Sequence, residues 1–418
     1  LSPWVPEGRR PVGHCSIWSA EGHPALLSPC SGRCYNRGMS SWGLYVHIPW
    51  CRSRCPYCAF NTYVESNPAF ESYTQALLLQ WEAHRDDFPG RPSTVFFGGG
   101  TPSLHPPPLI AKLLEAFDPV EDAEITLEAN PGTVDRDQLS AYRSAGINRV
   151  SLGIQTFNPK HARFLNRGHS VHDARRLLEE VAETGFRSWS ADLIFALPNQ
   201  TVDDFAFDLD ALAAAKPPHV SLYGLTAEPG TPYTKALHEG RFPQQEEEIW
   251  ESMFDLALER LSETGLERYE VSNLARKGHR SKHNSLYWRG QHWAGLGAGA
   301  HGWHPTGARV VGHSNPKDFI ASPTTWEESH TPSPREAAVE LLLSTLRHVD
   351  GIPVPTLHRL GFELDSSQLD HHVSNGLLIE EAGGLRVAGR GWKLIDSLLV
   401  DLEKALVPHN HGASTHYG

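Results

Sequence analysis

Six short apolar runs alternate with amphipathic stretches over the middle of the chain, and that alternation limits it to a parallel α/β architecture. The runs are Gly43–Ile48, Thr94–Phe97, Glu124–Leu127, Arg149–Ile154, Ser190–Phe195 and Val220–Leu225. Between them, Tyr73–Trp81, Pro107–Ala116, Arg136–Ala145, Val171–Thr184 and Val202–Ala215 carry helical spacing. Strands that alternate with helices read as βαβ units with a parallel sheet. Unusual residues stand at the run ends: Gly98-Gly99-Gly100-Thr101, Glu128-Ala129-Asn130-Pro131, Gln155, Asp192 and Leu197-Pro198. The C-terminal ends of parallel strands are where α/β barrels hold their sites. The segment from Gly43 to about residue 230 is therefore expected to form a full or partial barrel.

The flanks differ in character. Residues 1–38 are rich in Pro, Gly, Ser and Arg, lack periodicity and lack the apolar core of a signal peptide. The first methionine is Met39, so 1–38 is expected to be a disordered or non-native extension and the barrel segment to cover 39–230. Residues 231–334 look less regular, with one clear helix at Glu246–Leu261 and a Gly-, His- and Trp-rich stretch at 278–304; they are expected to act as a linker. Residues 335–407 show three helical patterns, a hairpin joined by Gly383-Gly384 and a last helix, a winged-helix-like order. Acidic residues outnumber basic ones there, which favours a packing or lid role over DNA binding. The tail 408–418, with His409, His411 and His416, is expected to be disordered.

Composition excludes several classes. With 418 residues, 39% of them apolar, and 36 glycines, the chain is an ordinary globular one with room for two or three domains. No run approaches the roughly 18 apolar residues of a membrane span, so an integral membrane protein is not expected. A net charge of −12 argues against nucleic acid as a partner.

Thiol chemistry is confined to the start of the chain. Of six cysteines, Cys15, Cys30 and Cys34 fall in the N-terminal extension. The other three, Cys51-x3-Cys55-x2-Cys58, directly follow the first strand. Such a loop can direct three thiolates at one centre. A structural zinc would need a fourth ligand, for which His47 is poorly placed inside the strand pattern. A disulfide would leave an odd thiol. A four-iron cluster held by three cysteines would leave one iron open to a further ligand.

With the glycine segment at the next strand end, the triplet resembles the radical S-adenosylmethionine (SAM) superfamily. The resemblance implies a partial (β/α)6 barrel, a 4Fe–4S cluster on Cys51, Cys55 and Cys58, and SAM chelated by the open iron. Tyr57 matches the aromatic that precedes the third cysteine. The finer resemblance, over residues 43 to about 405, is to the coproporphyrinogen III oxidase-like branch, which includes the oxidases and the HemW-type haem chaperones. It rests on Tyr45-Val-His-Ile-Pro-Trp-Cys51, Phe97-Gly-Gly-Gly-Thr-Pro-Ser103, Glu128-Ala-Asn-Pro-Gly132, Gly153-Ile-Gln-Thr-Phe157 and Asp192-Leu-Ile-Phe-Ala-Leu-Pro198. It implies that Tyr45, Tyr57, Gly99, Gly100, Thr101, Glu128, Gln155, Arg167 and Asp192 line the SAM site. Ala196 departs from the pattern, which usually has Gly there.

Two features favour the chaperone side of that branch. Phe60 stands where the oxidases carry a further cysteine. His283-Asn-Ser-Leu-Tyr287-Trp288 matches a motif associated with haem binding, and imidazole is the common axial haem ligand. His283 is the expected haem contact, with His301 and His304 as nearby alternatives. The resemblance implies haem as cargo, haem-accepting proteins (membrane-associated ones among them) and an electron donor as partners, and an oxygen-sensitive cluster kept in the cytoplasm. The rival reading is oxygen-independent decarboxylation of coproporphyrinogen III. A cluster-bearing module without SAM chemistry is disfavoured by the glycine segment.

Overall fold

The computed structural model describes residues 41–168, 170–243, 245–381 and 383–409; the expected extension at 1–38 and most of the expected tail lie outside them. One twelve-stranded sheet dominates. Its first six strands are β1 (Gly43–Ile48), β2 (Thr94–Gly99), β3 (Glu124–Ala129), β4 (Arg149–Gln155), β5 (Ser188–Phe195) and β6 (His219–Gly224). They pair in chain order, each parallel to the next. The crossovers carry helices α1 (Phe70–His84), α2 (Pro107–Phe117), α3 (Arg136–Ser144), α4 (Pro159–Leu165), α5 (Val171–Thr184) and α6 (Val202–Ala215). Asp135, Ser170 and Thr201 each cap a helix reciprocally with Gln138, Asp173 and Asp204, which ends the preceding loop at a defined residue.

Residues 231–334 are more than the expected linker. After α7 (Pro232–His238) and α8 (Glu247–Ser262), the chain adds β7 (Glu267–Arg268) and β8 (Asn273–Ala275) to the β6 edge, antiparallel. After α9 (Lys282–Trp288) it crosses to the other edge, where β9 (Trp293–Leu296) runs parallel to β1. The strands β10 (His301–Trp303), β11 (Arg309–Gly312) and β12 (Trp326–His330) extend that edge as an antiparallel meander, with α10 (Pro316–Ala321) inserted before β12. The stretch looked irregular because its strands are short, two to five residues each. Among the described residues, β7 and β12 are the outer strands of an open sheet.

Burial splits the six strands by parity. Leu44, Val46, Val95, Phe97, Leu127, Val150, Leu152, Ala191, Leu193, Val220 and Leu222 join the core under the helices. The alternate positions face the lumen and are largely polar: His47, Thr126, Glu128, Arg149, Ser151, Ser190, Asp192, His219 and Ser221. Strands buried on both faces usually read as continuous apolar runs. A lumen lined this way needs hydrogen-bond partners, from within the protein or from a ligand.

The C-terminal domain has its own core, including Ala338, Leu342, Leu357, Leu378 and Leu398. It comprises α11 (Pro334–Thr345), β13 (Ile352–Pro353), α12 (Val354–Arg359), β14 (Phe362–Leu364), α13 (Ser366–Ser374), β15 (Leu378–Glu381), β16 (Gly384–Val387), α14 (Ile395–Lys404) and β17 (Leu406–Pro408). Three helices and the three-stranded sheet of β13, β16 and β15 keep the winged-helix order.

Candidate functional site

The cysteine loop leaves β1 through a two-residue strand, Trp50–Cys51, which pairs with Tyr63–Val64. Cys51, Cys55 and Cys58 are free and half-buried. Their sulfurs do not all fall within 4.8 Å of one another, the convergence that a single ion would need. Wider spacing suits thiolates on separate irons of one cluster. Thr101 Oγ1 donates to Cys51 Sγ at 3.5 Å. Burial pushes the Cys51 and Cys55 thiols up, against the pull of Thr101 on the first and of the Arg167 charge on the second.

The glycine segment is forced by close approach to that loop. Gly99 has φ +113, and a Cβ there would stand 2.5 Å from the His47 ring. A Cβ on Gly100 would stand 2.7 Å from the Pro49 carbonyl carbon. The amides of Gly100 and Thr101 donate to the carbonyls of Ile48 and Trp50 at 2.8 Å each. Only glycine lets the two strand ends meet so closely.

A polar chain links the remaining predicted residues. Arg167 Nη1 donates to the Tyr57 hydroxyl at 2.9 Å, and its Nη2 donates to Asn130 Oδ1. Asn130 Nδ2 in turn donates to Thr101 Oγ1 at 3.2 Å. Burial pushes the Tyr57 hydroxyl up to about 12. Glu128 accepts from the Gly99 amide at 3.1 Å. Asp192 accepts from Ser151 Oγ and Ser190 Oγ, each at 3.0 Å at its shorter contact, while burial pushes its carboxyl up. Gln155 ends β4 with φ 70, and its Oε1 is buried with no hydrogen-bond partner. Tyr45 reaches His47 Nδ1 at 3.0 Å, and His47 Nε2 lies 2.9 Å from the Asn61 carbonyl, so His47 belongs to the protein's own network. Sequence reasoning missed Asn130 as the joint between Thr101 and Arg167. It also missed the lumen serines, although Ser188-x-Ser190-x-Asp192 and Arg149-x-Ser151 spell the polar alternation.

His283, the expected haem contact, stands apart from these residues. It lies in α9, at the opposite end of the barrel, beside Thr94 at the start of β2. Its Nδ1 is 2.7 Å from Thr94 Oγ1 and its Nε2 is 2.7 Å from the Tyr287 hydroxyl. The residue is fully buried, its ring stacks on Phe96 at 5.1 Å, and burial pulls its pKa down to about 3. Both ring nitrogens thus meet side-chain hydroxyls of the protein. Around it, Glu124 Oε1 accepts from the His283 amide at 3.0 Å, and Arg149 lies 3.9 Å from Glu124 Oε2.

A three-thiol loop and a glycine segment at adjacent parallel strand ends define a radical SAM protein. The family model described as the Radical SAM superfamily matches residues 45–212. The heme chaperone HemW of Haemophilus influenzae is 33% identical, over 85% of this chain and 96% of the relative. The mitochondrial radical S-adenosyl methionine domain-containing protein 1 of Danio rerio is 33% identical, over 95% of each chain. Among solved structures, the coproporphyrinogen III oxidase HemN of Escherichia coli superposes with a TM-score of 0.74 at 22% identity, over 87% of this chain and 90% of that one. The chain therefore belongs to the radical SAM superfamily and, within it, to the family that includes HemW.

Proposed function

We propose that the chain is a haem chaperone that binds haem and passes it to acceptor haemoproteins. The observation that carries this reading is a pocket between α9, the β9–β11 edge and α11. Tyr287, Trp288, Trp293 and Trp303 give it flat walls, and Arg309, Arg347 and His301 also line it. The Arg309 guanidinium stands 3.8 Å from the Trp303 ring centroid. Trp288 Nε1 and Trp303 Nε1 are buried donors without a partner. Arg309 pairs with Glu340 and Arg347 with Asp396, so the flat faces, the spare indole donors and the imidazole are what an iron macrocycle would use here. His301 lines this pocket and is the imidazole proposed for haem, with His283, behind Tyr287, as the other candidate. Relatives named heme chaperone HemW in several bacteria support the same reading.

In this reading Cys51, Cys55 and Cys58 hold a 4Fe–4S cluster, and Tyr45, Tyr57, Gly99, Gly100, Thr101, Glu128, Gln155, Arg167 and Asp192 line the place of SAM. With SAM bound beside these residues, the cluster would supply one-electron reductive chemistry, which would need an external electron donor. Arg167, braced by Tyr57 and Asn130, offers a fixed cation for a carboxylate. Glu128 and Asp192 offer acceptors for ammonium or ribose hydroxyl groups. Phe60, 39% exposed, leaves the loop without a further thiol. The cytoplasm, as a reducing compartment, suits such a cluster.

The test is an anaerobic haem titration run beside a coproporphyrinogen assay. One haem per chain and no decarboxylated product are expected. His301→Ala should weaken haem binding, while His283→Ala should lower stability and leave haem affinity in place. Steady product formation overturns the chaperone reading in favour of the oxidase. Haem affinity that falls only with His283→Ala overturns the pocket.

A further inference from the structure

The winged-helix-like domain gathers a second ligand set, unrelated to the cysteine loop. His358 lies in α12, Glu363 on β14 and His409 directly after β17. Antiparallel pairing sets Glu363 opposite Val407, and the His409 amide donates to the Gly361 carbonyl at 2.9 Å. Pairing between segments more than forty residues apart in sequence thus carries three side chains to one point. One ligand atom from each lies within 4.8 Å of the other two, the only such group of three among the described residues. His409 Nδ1 stands 2.6 Å from Glu363 Oε2. The His358 and His409 rings stack at 4.0 Å with planes 5° apart.

Neutral imidazole and carboxylate are the forms in which these groups bind metal. All three residues are half-buried, so the cluster is fixed by the fold but open to solvent.

We propose that His358, Glu363 and His409 bind one divalent transition-metal ion, Zn2+ in the first instance, and that the ion latches the end of the chain onto the winged-helix-like domain. Two nitrogens and one carboxylate oxygen form a donor set that Zn2+ accepts, with water in the fourth position. Binding would exchange the His409–Glu363 hydrogen bond for bonds from both groups to the ion and would turn the stacked rings so that one nitrogen of each faces it. Of the tail histidines noted in the sequence, His409 belongs to this group; His411 and His416 lie outside the described residues. The ion ties α12 and β14 to β17, the last described strand, whose own sheet consists of that single three-residue pairing.

The experiment is equilibrium dialysis of the full, cluster-loaded chain against radioactive Zn2+ under anaerobic conditions. Wild type is compared with His358→Ala, Glu363→Gln, His409→Ala and the double variant His411→Ala/His416→Ala. Thiol sites in the N-terminal segment are common to all five and cancel in the comparison. One Zn2+ per chain should be lost or weakened by roughly tenfold or more in the first three, at least the size that a lost outer partner costs a metal site. The double variant should bind as wild type does. Zn2+ should also raise the thermal midpoint of wild type, reversibly on chelation, and not that of Glu363→Gln, a variant conservative enough to fold. Equal binding in wild type and His409→Ala overturns the site. So does loss of binding in the tail double variant with His358→Ala unaffected, since that outcome assigns the ion to the tail.

Discussion

The mouth and the floor of the barrel are both polar, but they treat their polar groups differently. At the floor, groups are matched inside the protein. Glu124 meets the His283 amide and faces Arg149; Arg149 Nη1 donates to Ser188 Oγ and to the His279 carbonyl at 3.0 Å each. His219 bridges Ser190 and the Tyr269 hydroxyl at 2.8 Å each. At the mouth, three half-buried thiols point into one loop, Gln155 Oε1 lacks a partner, and burial holds the Asp192 carboxyl above its usual range. Buried polar groups that find partners within the fold serve the fold; unpartnered ones point to a ligand where they gather beside a perturbed carboxyl and the cysteine loop, as at the mouth. The His283 motif spans both kinds: His283 itself is buried among protein partners, while Tyr287 and Trp288 reach the pocket.

The largest expected effect breaks the mouth alone. Cys55→Ala should take the chain from about four irons and four sulfides to near none on anaerobic reconstitution. Far-UV circular dichroism of the unloaded chain should stay unchanged, because the thiol is half-buried and its hydrogen bond with Tyr57 is local to the loop. Full iron content in Cys55→Ala would remove the cluster from this loop.

The converse change breaks the floor. Arg149→Ala strands Glu124, which is 7% exposed, without its cation. Removing one partner of a buried pair costs about 3–5 kcal/mol. Urea unfolding should show that loss, while cluster content per folded chain stays constant. A loss under about 1 kcal/mol would mean that the floor is wetter than its burial implies.

Glu270 gives the comparison a pH axis. It is fully buried, and burial pushes its carboxyl up to about 8 against the pull of nearby backbone amides at Ser272, Asn273 and Val271. The folded state thus keeps a proton that the unfolded chain releases near the ordinary carboxyl pKa of 4.5. Stability from this group is full below about 4.5, falls as pH rises and levels off above about 8, with a slope of at most about 1.4 kcal/mol per pH unit. Glu270→Gln should flatten that part of the profile. An unchanged profile would mean that the carboxylate is compensated in the folded state.

Legibility from sequence followed the length and the periodicity of each segment. The six parallel strands and their helices were readable because each crossover repeats one apolar rhythm. The cysteine loop and Gly99-Gly100 were readable because close approach admits few residue types. β7 to β12 were not, since strands of two to five residues carry too little alternation to stand out. The role of His283 was unreadable for a different reason. Whether an imidazole is a ligand or a buried brace depends on Thr94, nearly two hundred residues earlier, and no local spacing reports that contact.

The smallest expected effect concerns Ala196, at the turn that leaves β5. Its φ of 57 places a non-glycine residue in the left-handed region, which costs about 1–2 kcal/mol. Ala196→Gly would relieve that strain. It would also remove a methyl group at a site only 4% exposed, worth about 0.8 kcal/mol, and restore about 0.4–1 kcal/mol of unfolded-chain entropy. These terms nearly cancel, so the variant should unfold within about 0.5 kcal/mol of wild type, and the near-cancellation explains how alanine persists at this turn. A stabilisation beyond about 1 kcal/mol would show strain held at the mouth for use there. A comparable loss would show that the Ala196 methyl packs as tightly as anything at the floor.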